Sequence, residues 1–430
     1  MKFTMLFLTN FLLIFFLYLK SLHFPLPTKF LIQILCGYLA LEYLIRPPLL
    51  YYANSQNIWL TFSDVRLAND QTHFFNSYSL CVIGNFALVS TVILVGQKFS
   101  KDFTLPNMKQ DTEILSLLSF GLIIGFLSIF IESSNFQNPI SKSLTTLGHI
   151  TYCLYLWKRP DMAIILSKSK TLVIHIFGIM SILTLYSFTN YSKGPLFAPL
   201  VIFIYRSQIW KKKFDSLSFA ALSFLLLFSG LFLFNKLQDR YLGEEYRASM
   251  ADSVGKLPWY IDWMKPIANR FDLFTSVSDA YFAGNGALGG FKEFMEFVTN
   301  SLLWNPSSGR IEQTYGQVWN QRVTSISLPD SKLSPVSLAQ GPTADGWVWF
   351  GIEGVILVNL VFAISVLILG RLLSSGTLSS VFAMTIVGSN VLFEAGIIQL
   401  ARLFNLGGKV FLVAWLFLIL HRFSRKFRYV

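Results

Sequence analysis

The chain is poor in charge and in cysteine. Only 13% of its 430 residues are Asp, Glu, Lys or Arg, against roughly 25% in soluble domains. A composition so short of solvating groups excludes an ordinary water-soluble globule. Its 3 cysteines are Cys36, Cys81 and Cys153, each inside an apolar run. They exclude a disulfide framework and a thiolate metal site. HExxH, GxxxxGK[ST] and DxD patterns are absent, so no metal or nucleotide cofactor is expected. No internal repeat is visible, as an inverted-repeat transporter tends to show. The first apolar run, FTMLFLTNFLLIFFLYLK, has no small-residue cleavage pattern and reads as a retained helix rather than a signal peptide.

What is present is apolar and basic. Hydrophobic residues make up 53% of the chain, Phe alone fills 42 positions, and the mean hydropathy is +0.53. Apolar runs of about 18 or more residues recur, the length that crosses a bilayer as helix. The fold class expected is an all-α polytopic membrane protein. Roughly eleven spans by a ~19-residue window are expected near 3–20, 29–52, 76–96, 113–132, 143–157, 171–189, 194–209, 216–236, 346–370, 378–399 and 408–422. A long polar stretch, 237–345, separates about eight spans in 1–236 from about three in 346–430. It is expected as one large, partly helical loop with amphipathic helices, in which GNGALGGFKEF reads as a turn followed by a short helix.

The net charge of +12 would suggest nucleic acid in a soluble protein. Here it is placed in cytoplasmic loops instead. Lys98, Lys101 and Lys109, then Lys158, Arg159, Lys168 and Lys170, then Arg206 and Lys211 to Lys213, then Arg371, then Arg422, Arg425, Lys426 and Arg428 fall on one side if the spans alternate. That side is cytoplasmic by the positive-inside rule. The 237–345 stretch and the N-terminus then face outward. The stretch mixes both charge signs with Trp259, Trp263, Trp304 and Trp319, which suits a folded, partly membrane-lying element.

Basic residues on the outer side run against that rule and so ask for a role. Arg46 sits in LEYLIRPPLLYY, Lys193 in NYSKGPLFAPL, Arg270 in NRFDLF and Arg402 in QLARLFNLGG. An ionisable group in or beside hydrocarbon costs a few kcal/mol, so it has a partner or a task. Arg offers a planar fork of donors to phosphate oxygens and Lys a compact charge. Converging from separate helices, these residues would make a diphosphate cradle. The plainer alternatives are that Arg46 snorkels to headgroups and that Arg402 pairs with Glu394. Among the acids, Asp272, Asp345, Glu353 and Glu394 are candidates for a general base, with structural ion pairing an equal reading. His73 and His149 read as packing residues.

These stretches resemble those of the Wzy-type polymerases of O-antigen, enterobacterial common antigen and exopolysaccharides. The likeness rests on one large loop in the second half of a polytopic chain, on YSKGPLFAPLVIFI (192–205), on NRFDLF (269–274), and on SLLWNPSSGR (301–310) through SLAQGPTADGWVWFGIEGVILV (337–358). It spans roughly 190–370 and is one of pattern. Lys193 stands where many members have Arg, and the second basic residue late in the loop is either Arg310 or Arg322. The resemblance implies a metal-independent glycosyltransferase of the bacterial inner membrane with a periplasmic loop. The substrate would be a repeat unit on undecaprenyl diphosphate, whose leaving group Lys193, Arg270, Arg402, Arg46 and Arg310 would hold. Asp272, Asp345 or Glu394 would act on the attacking hydroxyl. Membrane lipid is a partner, a polysaccharide chain-length regulator is one to test, and nucleic acid is not expected. An O-antigen ligase, a flippase and a non-catalytic scaffold are the competing readings.

Orientation is the first thing to check. Alkaline phosphatase fused at Pro329 should be active outside the cytoplasm, and a fluorescent protein fused after Val430 should fluoresce. The reverse pattern would invert the whole assignment.

Overall fold

A computed structural model describes residues 2–55, 71–99, 108–133, 139–158, 201–202, 205–206, 273–302, 315–319, 322–323, 340–389 and 392–427. Among the described residues every regular element is helical. Apolar surroundings demand this, since each backbone N–H and C=O must find a partner within its own segment. Among the described residues, five helices are long and apolar enough to cross a membrane: Lys2–Ser21, Leu26–Tyr51, Gln71–Gly96, Gly341–Leu373 and Ile397–Ser424. The expected spans 171–189, 194–209 and 216–236 lie outside the described residues or barely touch them. The chain divides into two compact units, taken in turn.

The first unit starts with α1 (Lys2–Ser21), α2 (Leu26–Ala40), a π turn (Leu41–Ile45), α3 (Arg46–Ser55) and α4 (Gln71–Phe99). On α1, Asn10, Ile14, Leu17 and Ser21 are buried, a single stripe at helical spacing. Leu8, Leu12, Phe15 and Phe16 lie exposed on the rest, as suits a lipid-facing surface. The helices alternate in direction. At one end Phe3 stacks on Tyr51, ring centroids 4.9 Å apart, and lies 6.0 Å from Phe74. At the other end Gly96 gives room for the Phe24 ring. Half-way along, Asn85 Nδ2 donates to Asn10 Oδ1 at 2.8 Å.

The helix expected at 346–370 is found as α10, Gly341–Leu373, and it is broken. Gly351 adopts φ 65° and ψ −141°, open in practice to glycine alone. The chain reverses there. The arm 341–350 lies back along 352–373, with Gly346 and Gly354 backbone to backbone. Asn359 Nδ2 donates to Thr343 Oγ1 at 3.2 Å. In a straight helix residues eight apart are ~12 Å apart along the axis. Arm 341–350 is therefore a separate half-helix, nearly all buried, and the span proper begins after Gly351.

A second half-helix, α7 (Leu273–Ala283), lies in the 237–345 stretch, where amphipathic helices were expected within one large loop. It follows α4 closely, with Phe274 edge-on to Tyr78 at 5.7 Å and Asn76 Nδ2 donating to Tyr281 at 2.9 Å. Leu273 meets Gly341, so α7 and the 341–350 arm begin side by side, about half-way along the bundle. The turn 284–290 and α8 (Phe291–Leu302) follow. Gly286 N–H donates to the Val348 carbonyl at 3.0 Å, which occupies one of the carbonyls that the end of the short arm leaves over.

The second unit holds α5 (Met108–Ser133), α6 (Pro139–Lys158), α11 (Thr377–Val387) and, from Leu403 on, α12 (Ile397–Phe427). Leu117, Leu147, Leu154, Val381, Val410, Ala414 and Leu418 form its core. Phe120 stacks on Phe417 at 4.0 Å. Lys158 Nζ donates to the carbonyls of Leu373 at 3.0 Å and Ser375 at 2.8 Å. Arg422 pairs with Glu113 at 2.5 Å.

Two expected spans change here. The span 378–399 is not one helix: α11 ends at Val387 before Gly388, a short helical turn covers Leu392–Glu394, and α12 starts at Ile397. Apolar composition ran on across Gly388 and Gly396 and hid the interruption. The helix expected at 408–422 begins eleven residues earlier, at Ile397 (408 − 397), and takes in Arg402.

The glycine pair gives a direct test. Gly354→Leu should abolish the close contact with Gly346 and cost at least ~1–3 kcal/mol of stability, the scale of overpacking. Gly37→Ala, whose added methyl meets nothing within 4 Å, should hold or raise the melting temperature in detergent, since alanine favours the helix over glycine.

Candidate functional site

The first cluster of polar groups forms at the π turn. This turn carries one residue more than an α turn, and such bulges recur at functional sites. Glu42 lies inside it and Arg46 directly after it. Both are buried, at 0% and 1% exposure. Glu42 Oε2 accepts the Leu273 N–H at 2.9 Å, so a carboxylate sits where the first amide of α7 needs an acceptor. Arg46 Nη2 points at Thr275 Oγ1, 3.5 Å away. Around them Tyr78 donates to the Tyr43 carbonyl at 2.7 Å. One turn of α7 further on, His73 Nε2 lies 3.0 Å from both the carbonyl and the hydroxyl of Ser278. A carbonyl can only accept, so Nε2 carries a proton there. The ring also meets Tyr281 at 5.1 Å. His73 is thus buried and hydrogen-bonded to α7.

The second cluster is centred on Asp345 in the short arm, which is fully buried. The Tyr315 hydroxyl donates to its Oδ1 in a short hydrogen bond, and the Ile397 N–H donates to its Oδ2 at 2.6 Å. Asp345 therefore caps the start of α12 from another helix. Trp349 Nε1–H donates to the Tyr315 oxygen at 3.3 Å. Tyr315 opens α9 (Tyr315–Trp319). Burial pushes its phenol well above the ordinary tyrosine range. The negative charge of Asp345 adds to this, and the positive charge of Arg402 pulls the other way. Arg402 lies in the second turn of α12 rather than beyond a span end, with its side chain exposed.

The candidates from the sequence are thus divided. Asp345 joins Tyr315 at the start of α12, the helix that carries Arg402, while Arg46 joins Glu42 against α7. Glu353 is exposed two residues past the break at Gly351. Arg322 Nη1 donates to the Leu288 carbonyl at 3.2 Å, tying it to the turn before α8. Lys193, Arg270, Asp272 and Arg310 lie outside the described residues, as do the side chains of Glu394 and His149.

Glu42 and Tyr315 are the residues that sequence reading passed over. Glu42 could have been found from LEYLIR, an acid four positions before a base in an apolar run, the spacing of one helical face. Tyr315 offered no such signal, because its partner lies thirty residues on and the contact depends on the reversal at Gly351.

Chemically, Arg46 brings a guanidinium into an apolar interior where an anionic oxygen would be strongly attracted. The Asp345 carboxylate has both oxygens engaged and acts as a cap. Comparison with protein-family models, with curated proteins and with solved structures finds no match to this chain.

Tyr315→Phe removes a hydrogen-bond donor from the buried Asp345 carboxylate and should cost ~1–3 kcal/mol, the scale for a buried acceptor left short. It should also change the alkaline limb of stability. A raised phenol pKa gives stability fully present below the unfolded value of about 10 and lost as pH climbs through the folded one. Melts between pH 8 and 11 should fall for the parent, and less steeply for the variant.

Proposed function

We propose that the chain joins oligosaccharide repeat units carried on undecaprenyl diphosphate, at the periplasmic face of a bacterial inner membrane. In this reading a hydroxyl of one unit attacks the anomeric carbon of the growing glycan, and undecaprenyl diphosphate departs with the bonding electron pair. The developing negative charge needs preorganised donors, and Arg or Lys supplies them without a metal. One observation carries the reading. Arg46, buried in a membrane helix, is directed at Thr275 of α7, five positions after Arg270 in the sequence (275 − 270). A basic group of the helical bundle and the Arg-centred segment of the polar stretch are thereby joined by a few residues of chain. Arg402, on the helix whose first amide Asp345 caps, supplies a further cation. Asp272, Asp345 and Glu394 are the acids that would serve the attacking hydroxyl, Asp345 from within its bonds to Tyr315 and Ile397.

A second reading has its own support. Two half-helices that begin next to one another inside a bundle, beside buried Glu42 and Arg46, match the broken helices with which transporters build midplane sites. On this reading the lipid-linked glycan is moved rather than joined.

Reconstitution separates the two. Given lipid-linked repeat units in liposomes, the purified chain should lengthen the glycan and release undecaprenyl diphosphate, with chelator present. Lys193→Ala and Arg270→Ala, shown by melting to be folded, should each lose about a hundredfold or more in rate. Movement of unlengthened glycan to the other leaflet would select the transport reading. Transfer only to a lipid A core acceptor would make the chain a ligase. Full activity in both variants would remove the diphosphate cradle.

A further inference from the structure

The helix α8 has three faces where a surface helix normally has two. At 100° per residue, Phe294, Phe297 and Ser301 fall on one side. Phe294 packs on Phe350 at 5.0 Å and Trp349 at 5.4 Å, Phe297 packs on Tyr315 at 5.4 Å, and Ser301 is buried. This is the face held by the protein. A second face carries Lys292, Glu293 and Glu296, all exposed. Glu293 reaches back to accept the Gly290 N–H at 2.9 Å, which caps the helix start. The third face is Phe291, Met295, Val298 and Leu302, spaced i, i+4, i+7 and i+11. It is apolar, yet Phe291 is 67%, Met295 42% and Leu302 49% exposed.

An apolar stripe at such regular spacing, bare on a helix otherwise well fitted to its neighbours, needs a cover. The place of α8 says which. It rests on Phe350, the residue before the reversal at Gly351, and so lies at the end of the span that starts there. That span opens with exposed Ile352, Ile356 and Leu357, a lipid-facing surface. Phe282, at the end of α7, is 61% exposed at the same level. The apolar stripe of α8 thus lies at the end of a bundle whose outer surface is apolar, on a different side of the helix from its charged face.

We propose that α8 lies in the plane of the membrane, its Phe291–Met295–Val298–Leu302 stripe seated at the boundary between headgroups and acyl chains. A helix with an apolar stripe beside a strongly charged face belongs there. The occupant is lipid rather than a protein. Seated this way, α8 fixes the level of the boundary for the turn 284–290 and the two half-helices behind it, whatever reaction those serve.

Single cysteines at Met295 and Glu296 test this in nanodiscs holding one chain each. The parent chain, whose Cys36, Cys81 and Cys153 are buried, sets the background. A membrane-impermeant maleimide should react at position 296 at least about tenfold faster than at 295. A fluorophore at 295 should be quenched by lipids spin-labelled near the carbonyl region, and one at 296 should not. Equal reactivity at the two positions would overturn the proposal. So would protection at 295 that is absent in single-chain discs and returns only when two chains share a disc, which would make a second copy the cover. Neither readout depends on catalysis.

Discussion

The close approach of Gly346 to Gly354 is the contact on which the first unit depends. A helix that breaks in apolar surroundings leaves carbonyls and amides without water. The 341–350 arm can exist only because it is pressed backbone to backbone against the helix it has just reversed into. From that position four of its residues reach different parts of the structure. Thr343 meets Asn359, and Asp345 meets Tyr315 and the start of α12. Trp347 lies by Tyr281, 5.4 Å between rings, and Val348 meets the turn before α8. The arm is a hub because it is short, buried and surrounded on all sides.

Charged groups inside this apolar chain share a second regularity. Glu42 accepts the first amide of α7, Asp345 accepts the first amide of α12, and Lys158 donates to carbonyls at the end of α10. Carboxylates therefore sit at helix starts and an ammonium at a helix end, the arrangement that the aligned peptide dipoles favour. Each such group trades hydration for a backbone partner that itself lacks one. The result ties separate helices together at their ends, where packing alone is weakest.

Much of this was open to sequence reading and some was not. The helices at 3–20, 29–52 and 76–96 follow from apolar length and were found within a few residues of their bounds. The two half-helices were not, because composition reports whether a residue is apolar and not which way the chain runs. Gly351 looks like any glycine in WFGIEG until its positive φ is known. Gly388 and Gly396 divided a run that hydropathy joined. At the candidate site, Arg46 stood out because its charge was out of place. Asp345 stood out too, but its role as a cap depends on Ile397, fifty-two positions away, and no local pattern carries that.

The π turn at Leu41–Ile45 gives the helix through 26–55 a stored phase. A π turn is an α-helix with one residue too many, so shortening it by one would restore a regular helix and rotate everything beyond by about 100°. Glu42 would keep its place while Arg46 swung off α7 toward another face. The buried pair thus measures a count rather than a contact. The length of that turn, more than the identity of any residue in it, decides which side chain the second half of the helix presents inward.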